Sequence, residues 1–130
     1  MELFQTLEDK LTYVKTLTLL ATTNEKITDT QKTFVYNIVK NYNLPEEYVE
    51  EIWQSLRRKS TIEDILEPIK EKSDDYKMLL LQELVMIFLV SDTYIARKPL
   101  LLSVCRILDI NIKLSAIKDH VQKYIQNMTK

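Results

Sequence analysis

A chain of 130 residues without a single glycine has few folds open to it. Glycine reaches positive φ at no steric cost, and the tight hairpins of antiparallel sheets depend on it through Asn-Gly and Asp-Gly turns. Phosphate-cradling glycine loops are excluded on the same ground. Left-handed turn positions must fall to Asn or Asp, whose short polar side chains tolerate them. Helices joined by Asx-terminated turns meet these conditions, and sheets do not. The expected class is all-α.

The most apolar stretch, YKMLLLQELVMIFLV at residues 76–90, is interrupted between Met78 and Val90 only by Gln82 and Glu83. A helix hydrophobic nearly all round is either a membrane span or the centre of a bundle. Its apolar part reaches about 20 Å, short of a hydrocarbon layer of about 30 Å. The expected architecture is one domain over residues 1–130, a bundle of about seven helices with residues 76–91 as its central helix. No transmembrane segment is expected.

Charge and cysteine usage narrow the function classes. The formal net charge of −1 supplies no basic field for nucleic acid, so no nucleic-acid partner is expected. The single Cys105 forms neither an internal disulfide nor a cysteine metal cage, which suits a reducing compartment. The start MELFQTLEDK lacks the basic n-region of a secretory signal. A cytoplasmic protein is expected.

In chain order, Phe4, Leu7, Leu11, Val14, Leu17 and Ala21 predict a first helix over residues 3–22 with one buried stripe. Thr28 and Gln31 form a capping box, with Ile27 before it as half of a hydrophobic staple. A second helix over residues 29–42 ends at Asn41 or Asn43, both plausible left-handed terminators. Pro45 opens a third helix carrying Val49, Ile52, Trp53 and Leu56, closed by Arg57, Arg58 and Lys59 at the negative end of its dipole. Ser60 and Glu63 form a further capping box before a short fourth helix, which Pro68 ends or kinks. Ser73 caps the central helix. Pro99 marks the start of a sixth helix, and the seventh carries Leu114, Ile117, Val121, Tyr124, Ile125 and Met128 as a stripe.

The chain also repeats. A shift of 68 residues superposes residues 20–53 on 88–121 without a gap, placing Thr23-Asn24 over Ser91-Asp92 and Asn41 over Asp109. Each half reads as helix end, polar turn with one buried Ile (Ile27 or Ile95), helix, Asx turn, helix. The first copy of the turn is Asn24-Glu25-Lys26-Ile27-Thr28-Asp29-Thr30-Gln31. The second is Asp92-Thr93-Tyr94-Ile95-Ala96-Arg97-Lys98-Pro99.

This unit resembles that of the tellurite-resistance TerB family, in which an Asp-Gly-x-Ile turn is followed by a capping residue and, three later, a helix-opening Glu. The resemblance covers about residues 17–124 in element order and length, although both glycines and both glutamates are missing. It implies an all-helical bacterial protein of stress-response operons, working through protein contacts. Acidic clusters in the family invite a divalent cation, but here the matching positions are Asn24, Gln31, Asp92 and Pro99. One carboxylate does not hold Ca²⁺ or Mg²⁺, so no metal and no other cofactor is expected.

No constellation for catalysis emerges. His120 reads as a surface residue, and Cys105 lies on an apolar face, where a thiol is an inert small hydrophobe. Carboxylates sit at helix starts, where dipole and capping explain them. The protein is not expected to be an enzyme. Candidate interaction residues are the basic run Arg57, Arg58 and Lys59, which Arg97-Lys98 and Lys113 extend if the halves pack pseudo-symmetrically, and Glu83. Two readings of Glu83 stand: with Gln82 it marks the solvent strip of its helix, or it is buried, paired with a cation, and acts as a switch. A protein partner is expected, and the basic run also fits peripheral contact with an anionic membrane surface or a membrane protein. The runner-up to a stress-response role is a small cytosolic bacteriocin-immunity or self-protection protein recognising a membrane component.

Overall fold

The computed structural model describes residues 4, 6–22, 29–56 and 60–128, the side chains of 30–32, 34, 35 and 56 excepted. These residues form seven α-helices: α1 (Leu7–Thr22), α2 (Asp29–Asn41), α3 (Glu46–Leu56), α4 (Ile62–Leu66), α5 (Asp74–Val90), α6 (Tyr94–Ile107) and α7 (Leu114–Met128). A 3-10 turn, Glu67–Ile69, follows α4 where Pro68 was expected to end it. Among the described residues there is no strand, and the class is all-α as the missing glycines require. The chain divides into two compact units, Met1–Ile65 and Leu66–Lys130.

In the first unit α1 packs against α2 and α3. It begins at Leu7, four residues later than its apolar spacing suggests, because the Thr6 hydroxyl accepts the Asp9 N–H at 3.0 Å and caps it there. Leu7 is consequently exposed, whereas Leu11, Tyr13, Val14, Leu17 and Leu20 are buried. Thr16, Thr18 and Thr22 are buried as well, so α1 is enclosed far beyond one stripe. Two of these hydroxyls are satisfied locally: Thr18 donates to the Val14 carbonyl at 2.7 Å and Thr22 to the Thr18 carbonyl at 2.8 Å. Phe4, Tyr13 and Tyr42 gather their rings with centroids 4.9–5.9 Å apart, in tilted and edge-on geometries that aromatic quadrupoles favour. Lys15 and Glu51 join α1 to α3 by a half-exposed ion pair at 3.6 Å.

In the second unit α5 holds the place that α1 holds in the first, packing against α6 and α7. The Ser73 hydroxyl caps it, accepting the Tyr76 N–H at 3.2 Å, with Asp74 and Asp75 in the positive first turn. Tyr76, Leu80, Leu81, Leu84, Val85 and Phe88 are buried.

Three helices end in one geometry. Asn43, Asp92 and Asp109 have φ of 55°, 59° and 56°, the left-handed conformation that glycine usually supplies. The next residue's N–H then reaches back five positions: Leu44 to Val39 at 3.3 Å, Thr93 to Phe88 at 2.8 Å, and Ile110 to Cys105 at 2.8 Å. The left-handed residue itself bonds three back, to Lys40, Leu89 and Arg106 respectively. These are Schellman caps, and each retires two orphan carbonyls. They also correct the repeat. α1 and α5 end 68 residues apart, and α3 and α7 start 68 apart, but Asn43 and Asp109 are separated by 66. The α6–α7 turn is longer by two residues, so the halves do not align without a gap.

Further sequence expectations are revised. The cap of α4 is Thr61, whose hydroxyl accepts the Asp64 N–H at 3.0 Å, and not Ser60. Pro99 does not open α6 but lies inside it, since the helix starts at Tyr94. The Schellman turn at Asp92 returns the chain to helical geometry within two residues, leaving no room for a loop as far as Pro99. Ile95, expected to be buried, is 87% exposed, and Leu102 is 51% exposed. On α7 the buried stripe stops at Val121: Tyr124 and Met128 are exposed and Ile125 is half-buried.

Candidate functional site

The structure places the residues singled out by sequence in different situations. Arg57, Arg58 and Lys59 lie outside the described residues, as do Asn24 and the side chain of Gln31. Asp92 is exposed at the left-handed position that closes α5, and Pro99 is exposed on α6. Glu83 and Gln82 are both half-buried on α5. That is neither the open strip of the first reading nor the enclosed charge of the second. Trp53 is half-buried on α3.

Cys105 and His120 differ in their surroundings. His120 is exposed, while Cys105 is half-buried on α6 and burial pushes its thiol above the ordinary value of 9.0. A thiol so held is protonated at neutral pH and a poor nucleophile. Beside it stands Tyr94, nearly enclosed, with the Lys118 ammonium 4.8 Å from its ring centroid. Burial, and then the charges of Cys105 and Asp119, raise the Tyr94 phenol above its usual 10.0. The cation over the ring ties α7 to the start of α6, and Arg97 lies 5.9 Å from the Phe88 ring to tie α6 to α5. Among the described residues no three His, Cys, Asp or Glu side chains converge as a metal site would require.

Two surface features remain in the second unit. Leu89, Val90, Gln122, Ile125 and Gln126 line an open groove of about 220 Å³ between the ends of α5 and α7. The other is the outer face of α6. Its buried side is Leu100, Leu101 and Val104; opposite them Ile95, Lys98, Pro99, Leu102 and Arg106 are all exposed. At 100° per residue these five fall within one sector, with Ile95 and Leu102 two turns apart. A solvent-facing helix side is ordinarily polar, and this one carries two large aliphatic side chains. Taking Pro99 as the helix start hid the face in the sequence. Beginning at Tyr94, the seven-residue spacing of Ile95 and Leu102 is its signal.

No helix among the described residues is long and apolar enough to cross a membrane. No protein-family model matches the chain, and no curated protein and no solved structure matches it.

Proposed function

We propose that this chain is a bacterial, TerB-like protein of the cytoplasm that performs no catalysis and acts through contacts with other proteins, in envelope or tellurite-type stress. The observation that supports the reading is the doubled arrangement, α1 against α2 and α3 and α5 against α6 and α7, with a long enclosed helix in each unit. In both halves the first Asx-rich turn has lost the paired carboxylates of the family's usual unit, and Asp92 serves there as a left-handed cap. Function then rests on surfaces, and the apolar outer face of α6 is the clearest of them.

The test is a deletion strain of the source bacterium, challenged with tellurite and with cell-wall-active compounds. Reduced tolerance, restored by the wild-type chain, is expected; tolerance equal to that of the parent strain across both challenges overturns the reading. Calorimetric titration with Ca²⁺, Mg²⁺ and Zn²⁺ is expected to give no micromolar binding, since a lone Asp92 carboxylate supplies too few hard ligands.

A further inference from the structure

The outer face of α6 is unusual in charge as well as in polarity. From Thr93 to Leu108 the chain contains Arg97, Lys98 and Arg106 and not one acidic residue. Arg97 is half-buried over the Phe88 ring, but Lys98 and Arg106 are exposed beside Ile95 and Leu102. Among the described residues no ion pair engages Lys98 or Arg106. Two aliphatic side chains at heptad spacing, bracketed by two cations, present half of a helix–helix seam without its other half.

We propose that this face docks an amphipathic helix of a protein partner that is apolar at heptad spacing and acidic on its flanks. The inference rests on the reading of the protein as a contact module and specifies the chemistry of the contact. Charge decides among the possible occupants. A second copy meeting this face across a two-fold axis would bring one pair of cations, Lys98 and Arg106, toward an identical pair, and like charges across a contact repel. Lipid-binding segments gather about four to eight cations, whereas this face exposes two, Lys98 and Arg106, with Arg97 half-buried over the Phe88 ring. An acidic helix satisfies both parts of the surface: its apolar stripe covers Ile95 and Leu102, and its carboxylates reach Lys98 and Arg106.

The probe is a synthetic amphipathic helix with leucines at heptad spacing and glutamates flanking them, compared with the same peptide bearing lysines. The full chain is expected to bind the glutamate peptide at least about tenfold more tightly, with affinity falling as salt rises. Amide shifts should move along Ile95, Lys98, Leu102 and Arg106. Ile95→Ser and Leu102→Ser should each weaken binding, and the pair Lys98→Glu with Arg106→Glu should reverse the preference toward the lysine peptide. Equal affinity for both peptides, shifts centred elsewhere, self-association through this face, or binding only to phosphatidylglycerol vesicles would each overturn the proposal. Such a failure removes the α6 site and leaves the stress phenotype as it was, while a neutral deletion phenotype removes the stress role and leaves the peptide result standing.

Discussion

Cys105 shows how partial burial changes the titration of a side chain. Its raised pKa has a thermodynamic counterpart. The unfolded chain releases the thiol proton near 9.0 and the folded chain releases it only at higher pH, because burial disfavours the thiolate. The contribution to stability is therefore complete below about pH 9 and is lost as pH rises through the folded value; Tyr94 adds a loss of the same sign above its usual 10.0. Urea unfolding between neutral and strongly alkaline pH should show a declining midpoint, and Cys105→Ala should flatten the part of the decline nearest pH 9. At the left-handed caps, Asp109→Val should cost about 1–2 kcal/mol relative to Asp109→Gly, because a β-branched Cβ meets the following carbonyl at positive φ. Chemical denaturation of the two variants measures the difference. The need for Asn or Asp at these turns was legible once glycine was counted as absent. Which Asx would serve was not, since Asn41 and Asn43 both suit the position and the bond from Leu44 to Val39 decides for Asn43.

Caps and prolines govern the elements. Thr61→Ala should destabilise by about 1 kcal/mol, while Ser60→Ala should change almost nothing, because only the Thr61 hydroxyl accepts a helix N–H. Pro99→Ala should raise the unfolding midpoint. The proline leaves the Ile95 carbonyl without its i+4 donor, and a helix-interior proline is unfavourable by up to about 3 kcal/mol. Sequence pointed to each of the described helices and placed the N-cap of α5 at Ser73 correctly. It failed where two local signals compete. Ser60 and Thr61 are adjacent hydroxyls with an acid three residues beyond each, so periodicity cannot choose between them. Proline is common at a first helical position, which drew the start of α6 to Pro99 and concealed Ile95. The buried threonines of α1 were invisible for another reason: bonds to Val14 and Thr18 within the same helix let polar residues occupy an apolar environment.

At the scale of the molecule, two units each form around one enclosed helix, α1 in Met1–Ile65 and α5 in Leu66–Lys130. The residues 66–130, produced alone, should show a helical circular dichroism spectrum and a cooperative thermal transition of low midpoint, since chains of this size lie near the lower limit for a self-sufficient core. A coil spectrum would mean that the unit does not fold by itself. Sequence pointed to the doubling through its matching turns and to residues 76–91 as an enclosed helix. α1 holds the equivalent place in its own unit, and its threonines disguised that role. The three Asx caps bear, finally, on how the protein ages. Asparaginyl and aspartyl residues degrade when the following backbone nitrogen attacks the side-chain carbonyl to close a succinimide. After Asn43, Asp92 and Asp109 that nitrogen is committed to a carbonyl five residues back and belongs to Leu, Thr or Ile, with no compact glycine in its place. On prolonged warm storage, isoaspartate should accumulate at these three sites more slowly in the folded protein than in the urea-unfolded chain, as peptide mapping would show. A chain that cannot use glycine at its left-handed turns thereby escapes the hydrolytic clock that Asn-Gly and Asp-Gly sequences carry.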